Sequence, residues 1–268
     1  MIAPSPPRRS VPTGDNASGS LVRAARVLQA IASAPKGRTL REVTSQTGMS
    51  HPTAHRVCAM LIELGWLERD QNKRFFLGKE LSILGLAALR RHPLEAIARP
   101  LLEALNAATG QTVYLLARSH DEAVCLSRIE GRSVVRTFLL DVGSRWPLGW
   151  GAGGMAILAT LPDTEAAEII ARNRERFAAL DGFDQNQFEK RLEFARANKY
   201  ARHDGLIIPG VSGISAAIVD NSGSPVAAVS TAFVSDWLED AEKQRCVALV
   251  KETAGRLSAL LSKSGAAA

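Results

Sequence analysis

The stretch LVRAARVLQAIASAPKGRTLREVTSQTGMSHPTAHRVCAMLIELGWLERD, residues 21–70, decides the fold of the N-terminal third. Leu21, Ala24, Ala25, Leu28 and Ile31 recur at helical spacing behind Ser20, which is placed as an N-cap. Pro35 and Gly37 end that helix. Thr39 caps a second, short helix, and Glu42 three residues on completes a capping box. Leu40 and Val43 face inward, and Gly48 supplies the turn. Ser50 caps a third helix, with Pro52 in its first turn, where a missing N–H costs little. Ala54, Val57, Leu61 and Ile62 form its expected buried stripe, while His55, Arg56, Ala59 and Glu63 project the other way. Beyond Gly65, Trp66-Leu67-Glu68-Arg69 and Arg74-Phe75-Phe76-Leu77 flank the polar turn Asp70-Gln71-Asn72-Lys73, the pattern of a β-hairpin. Helix, helix, turn, helix and hairpin together read as a winged helix-turn-helix.

That fold suits double-stranded DNA. An amphipathic third helix anchors one face and offers the other to a major groove. Its outer face starts with Ser50, His51, Thr53, His55 and Arg56, whose side chains reach bases or phosphates. Thr39 and Arg41 at the second helix, and Lys73 and Arg74 at the wing, complete the candidate contacts. Charge agrees: residues 1–91 hold 14 Lys and Arg against 6 Asp and Glu, a net of +8 in a chain whose total is +6. A nucleic-acid-binding module joined to a near-neutral sensor has this asymmetry. A winged helix used for protein contacts remains the alternative. His51 and His55, four residues apart on a helix, could share a metal, but no third ligand is evident nearby and no metal is expected.

The same residues carry a family resemblance. Residues 21–70 and the segment KRFFLGKEL (73–81), with TAHR (53–56) in the third helix and LGW (64–66) before the wing, resemble the DNA-binding domain of the IclR family of transcription regulators. The pattern continues through most of the chain. The resemblance implies a homodimer or dimer of dimers on a near-palindromic operator, controlled by a small-molecule effector.

The expected organisation is a Pro-, Ser- and Gly-rich tail (1–19), the winged domain (20–78), a linker helix (79–92) and an effector-binding and oligomerisation domain (93–268). Leu81, Leu84, Leu86 and Ala88 give the linker helix much apolar surface. In the family the equivalent helix joins the domains and helps pair subunits. Beyond Pro93 the pattern predicts a helix over 94–109, strands over 112–118, 123–129 and 134–140, and helices over 153–160, 163–180 and 186–198. Strands over 213–220 and 226–233 and a last helix over 238–261 follow. Strands, helices, strands and helix indicate an α+β domain with a mainly antiparallel sheet. The resemblance relates it to GAF-type ligand-binding folds.

The run Gly149-Trp150-Gly151-Ala152-Gly153-Gly154 matches a dinucleotide-binding fingerprint, but Ser144-Arg145-Trp146-Pro147 precedes it and no parallel βαβ repeat surrounds it. Two readings stand for these glycines. One is a helix start near Gly153 whose free N–H groups bind an anion such as a carboxylate. The other is a tight turn with close packing. The resemblance makes this loop one wall of the effector pocket, with Leu148, Ala152 and Gly153 on it. The opposite wall maps to His203, Val211, Gly213, Ser230 and Ala232. The family often has an acidic residue, a Cys and two Ser where this chain has His203, Gly213, Ser230 and Ala232, and a Lys and a His where it has Met155 and Gly149. Gly213 and Ala232 in place of larger groups imply a roomier, less polar cavity. Trp150 either faces the cavity or packs in the core. The implied effector is a small organic or aromatic acid.

Other function classes find little in the sequence. His120-Asp121 and His203-Asp204 are sequence neighbours without a nucleophile, and no G-x-S-x-G, H-E-x-x-H or Walker A pattern is present, so catalytic residues and cofactors are not expected. An enzyme with an appended DNA-binding domain is the alternative reading. A nucleoid protein without a signal would not need so large a second domain. No run of about 18 apolar residues is present, so no membrane span is expected. Cys58, Cys125 and Cys246 are odd in number and widely spaced, which argues against a disulfide framework or a zinc site and fits a reducing cytoplasm.

Overall fold

The structure, a computed structural model, describes residues 19–91, 93–132 and 140–265. The chain divides into two compact units between Pro93 and Leu94.

In the first unit, helices α1 (Ser20–Ala32), α2 (Leu40–Thr47) and α3 (His51–Glu63) precede an antiparallel hairpin of β1 (Leu67–Arg69) and β2 (Phe75–Leu77). The core is Val27, Ile31, Val43, Ala54, Cys58, Leu61, Leu67 and Phe75. Three local expectations change. Gly19, not Ser20, is the N-cap of α1. In α1 Ala24, Leu28 and Ile31 pack on the core as expected and Val27 and Ala30 join them, whereas Leu21 in the first turn is 84% exposed. In α3 the buried stripe is Ala54, Cys58 and Leu61, the narrow i, i+4, i+7 row, which leaves Ile62 exposed. The Thr39–Glu42 capping box forms as expected, and Gly48 ends α2 in the left-handed conformation. Arg38 bridges Phe75 on the far side of β2, so the wing is tied back to the segment before α2. Helix α4 (Lys79–Arg91) follows the wing and leaves Ile83, Leu84, Leu86 and Leu89 exposed.

The second unit is a six-stranded antiparallel sheet with helices on both faces. In chain order it has α5 (Leu94–Thr109), β3 (Thr112–Ser119), β4 (Glu122–Ile129), β5 (Arg145–Pro147), α6 (Gly151–Thr160), α7 (Asp163–Ala178) and α8 (Gln185–Asn198). Strands β6 (Ala201–Asp204), β7 (Val211–Val219) and β8 (Pro225–Val234) follow, then a 3-10 turn, Ser235–Trp237, and α9 (Asp240–Gly265). The strand order is β5-β4-β3-β8-β7-β6. Period-two alternation splits the core. Val113, Leu115, Ile214, Ala216, Ala227 and Val229 pack with α5 and α9, while Tyr114, Leu116, Ala228 and Ala232 face the layer of α6–α8.

Two strands lie where the sequence indicated none. β5 and β6 are the sheet edges, three and four residues long. One ends in Pro147, which cannot donate to a ladder, and the other carries exposed Arg202 and Asp204. The expected strand over 134–140 falls almost wholly on 133–139, outside the described residues. No helix among the described residues is long and apolar enough to cross a membrane.

Candidate nucleic-acid interface and ligand pocket

The first unit presents Arg41, Ser50, His51, His55, Arg56 and Lys73 to solvent, with Thr39 and Thr53 half-buried. Ser50 stands at the N-cap of α3 but makes no backbone cap bond; its hydroxyl donates instead to Thr53 Oγ1 at 2.9 Å. Pro52 has no N–H and that of Ala54 is bonded to the Ser50 carbonyl, so the first turn of α3 offers the N–H groups of His51 and Thr53. Thr39 is engaged inside the protein: its hydroxyl donates to Glu42 Oε2 at 3.1 Å and accepts from Glu42 N–H at 3.3 Å. The Thr39 backbone N–H, which donates to Glu42 Oε2 at 2.7 Å, holds the Glu42 carboxyl below its usual range. Arg74 is more engaged still. Its guanidinium donates to the carbonyls of Lys36 (2.8 Å) and Gly37 (2.9 Å) and to Glu42 Oε2 (3.1 Å). Lys73 beside it adopts a left-handed φ of 61° with an exposed side chain. Among the described residues no group of three or more His, Cys, Asp or Glu is arranged to hold a metal.

In the second unit a cavity lies between the α6 face of the sheet and the start of α6. Cross-strand register builds its floor. One row runs Ala232, Gly213, His203 across β8, β7 and β6, and the next pairs Tyr114 with Ser230 across β3 and β8. Of the eight expected residues, the cavity brings together Ala152, Gly153, His203, Gly213, Ser230 and Ala232. Leu148 and Val211 do not line it; both sit in the adjoining apolar core. The sequence reading missed Tyr114, Leu116, Ala123, Leu140, Trp146 and Ile207. Alternation along β3 could have found Tyr114 and Leu116, since they share a face with Ser230 and Ala232. Ile207 comes from the β6–β7 loop, which has no periodicity to read.

Helix α6 starts at Gly151, two residues before the expected point, with Trp150 as an N-cap that offers no side-chain cap. The N–H groups of Gly151, Ala152 and Gly153 are thus the unpaired donors of its first turn, and all three residues line the cavity. The backbone bears out the tight-turn and close-packing reading of the glycines. Gly149 (φ 99°) and Gly151 (φ 70°) need left-handed backbone. Gly153 is there for packing, because a Cβ on it would lie 2.1 Å from Leu116 Cδ1.

His203 is the main polar group of the wall. It is 4% exposed, its Nδ1 is buried without a partner, and burial pushes its pKa down to about 4, so the ring is neutral. Gly213 does not leave room for a ligand, contrary to the sequence expectation. A Cβ there would stand 2.7 Å from His203 Nε2, so the imidazole occupies that room. The Ser230 hydroxyl donates to the Ile214 carbonyl at 3.2 Å and offers the cavity its lone pairs. Trp150 lines the cavity and is 4% exposed, and its Nε1 also lacks a partner. The cavity thus combines a neutral imidazole, an indole N–H and a helix start with the apolar rings of Tyr114, Trp146 and Trp150. Around it, the buried Glu122–Arg176 pair (2.7 Å) and the Glu122–Arg145 pair (2.8 Å) pin β5, and with it Trp146, to β4 and α7.

Comparison with known proteins agrees with both halves. Residues 20–71 match the IclR helix-turn-helix domain, and residues 86–259 match the bacterial transcriptional regulator IclR C-terminal domain. The chain is 31% identical over 241 residues to the HTH-type transcriptional regulator BhcR of Paracoccus denitrificans, covering 89% of this chain and 86% of that protein. A crystal structure of an IclR-type regulator from Alicyclobacillus acidocaldarius superposes with a TM-score of 0.76 at 25% identity, covering 90% of this chain and 97% of the other. A homologue from Microbacterium hydrocarbonoxydans, solved in complex with 4-hydroxybenzoate, shares the fold with a TM-score of 0.72 at 22% identity, covering 91% and 99%. These proteins are described as regulators or their homologues, none as an enzyme.

Proposed function

The chain belongs to the IclR family of DNA-binding transcriptional regulators with an effector-binding domain, and from that premise we propose that it senses a small organic acid with an aromatic or apolar body. The observation that carries this reading is the pairing of an unpartnered neutral His203 with the open N-terminus of α6 in a cavity walled by aromatic rings. The carboxylate lies against the N–H groups of Gly151, Ala152 and Gly153, where the helix dipole favours negative charge. His203 and Trp150 hydrogen-bond the polar edge of the ligand, and Tyr114 and Trp146 bracket its body. The 4-hydroxybenzoate held by the Microbacterium homologue supports this class.

The regulator acts as a homodimer or dimer of dimers on a near-palindromic operator, since two-fold protein symmetry asks for two-fold DNA symmetry. Arg41, Ser50, His51, Thr53, His55, Arg56 and Lys73 supply the contacts. Arg74, whose guanidinium is engaged by Lys36, Gly37 and Glu42, leaves the contact set.

Thermal shift with benzoate, 4-hydroxybenzoate, benzamide and short aliphatic acids tests the sensor. An aromatic acid at a hundred times its dissociation constant should add about 2.7 kcal/mol of stability. Benzamide, which lacks the charge, should add much less. Equal stabilisation by acid and amide, or none by either, contradicts the carboxylate reading.

A further inference from the structure

We propose that Arg74 and Glu42 form a strut that aims the wing-tip Lys73 at the DNA, so that Arg74 is a positioning residue and not a phosphate contact. The inference rests on the DNA-binding reading given above and adds to it a division of labour within the wing.

The geometry fixes Arg74 at both ends. Its main chain closes the wing turn: its N–H donates to Asp70 Oδ1 at 2.8 Å, and its carbonyl accepts from Asp70 N–H at 2.9 Å. Its side chain spans to another part of the domain. Nε donates to the Lys36 carbonyl, and Nη2 reaches both the Gly37 carbonyl and the Glu42 carboxylate. Glu42 is held in turn by α2, because its Oε2 accepts from Thr39 N–H at 2.7 Å and from the Thr39 hydroxyl. A planar guanidinium that satisfies two carbonyls and a carboxylate at once is a rigid tie, where a single exposed ion pair would be a weak one. Lys73 precedes Arg74 directly, and its N–H donates to the Asp70 carbonyl at 3.1 Å. With that bond and its left-handed φ, the direction of its exposed ammonium follows from where Arg74 is tied. Besides this tie, β2 is joined to the unit by three residue pairs with β1, one bridge to Arg38 and the buried ring of Phe75, none of which holds the turn that carries Lys73.

Simple electrostatics and the strut predict opposite signs for one substitution. Glu42 is a negative charge within the winged domain, so its loss should tighten binding if charge alone matters. If Glu42 holds Arg74, its loss should weaken binding. Glutamine also serves at the third position of a capping box, so Glu42→Gln keeps α2 capped while removing the charge that binds the guanidinium.

The probe is a duplex of about 30 base pairs enriched from a random pool by the full-length wild type, long enough for two half-sites. Affinity is measured at several salt concentrations for wild type, Glu42→Gln, Lys73→Met and the double variant. Lys73→Met should weaken binding and reduce the salt slope by about 0.9 for each copy of the wing that contacts the duplex. Glu42→Gln should weaken binding by about threefold or more, and Lys73→Met should then cost little further, as coupled residues do. Arg74→Gln, which leaves the capping box intact, should reproduce Glu42→Gln and decides the matter if Glu42→Gln fails to fold. The strut is overturned if Glu42→Gln binds as tightly as wild type or more tightly. It is also overturned if Lys73→Met keeps its full effect in the Glu42→Gln background, or has none in wild type. A wild type that enriches no duplex overturns the DNA-binding reading itself, and the strut with it.

Discussion

His203 stays neutral because burial removes the water that would solvate its charge, with Asp204 raising its pKa and Arg191 lowering it to a lesser extent. The consequence for pH has a definite sign. The unfolded imidazole takes a proton near pH 6.5, whereas the folded one does so only near 4. Stability is therefore full above pH 6.5 and falls as the pH drops towards 4, by about 3 kcal/mol over that window. Urea unfolding of wild type and His203→Phe between pH 7 and 4.5 should show the variant losing that part of the slope. An unchanged slope would mean that His203 already carries its proton in the fold. At this scale the sequence was legible where a feature is local. Thr39 and Glu42 declare their capping box through a three-residue spacing. The exchange between Gly213 and His203 was not legible, because it depends on β6 and β7 pairing in one register. Read alone, Gly213 looks like space for a ligand; beside His203 it is space for an imidazole.

Among the elements, α3 carries the most direct prediction. Arg56 is exposed, and no hydrogen bond or ion pair among the described residues ties it into the domain. Arg56→Ala should cost on the order of 1–3 kcal/mol of affinity for an enriched operator duplex. Melting of the winged domain should shift little, as for other surface substitutions. Operator affinity equal to that of wild type would remove Arg56 from the interface. The helices and long central strands could be read from sequence because burial imposes a period on them. Edge strands β5 and β6 escaped because three or four residues hold too few periods, and Pro147 and the exposed charges of β6 resemble loop. Helix α6 gave its presence but not its start, since buried glycines and alanines show neither an amphipathic face nor a capping side chain. Helix α4 displays Ile83, Leu84, Leu86 and Leu89 to solvent, more apolar surface than a lone chain usually leaves uncovered. Sedimentation at micromolar concentration should accordingly give a dimer or tetramer; a monomer alone would contradict the proposed assembly.

For the molecule as a whole, the charge asymmetry visible in the sequence coincides with the division into two units. The first carries the exposed cations of a winged helix-turn-helix, and the second carries a cavity in a nearly neutral domain. A ligand in that cavity alters DNA binding only if it favours one of two states of the assembly; equal affinity for both shifts nothing. The most direct test is the affinity of the full-length protein for its enriched duplex, titrated by fluorescence anisotropy with and without a saturating aromatic acid that stabilises it in thermal shift. A ligand-responsive regulator should show the affinity change by about 5- to 150-fold, a coupling of about 1–3 kcal/mol. An acid that saturates the cavity yet leaves DNA affinity unchanged would contradict the account.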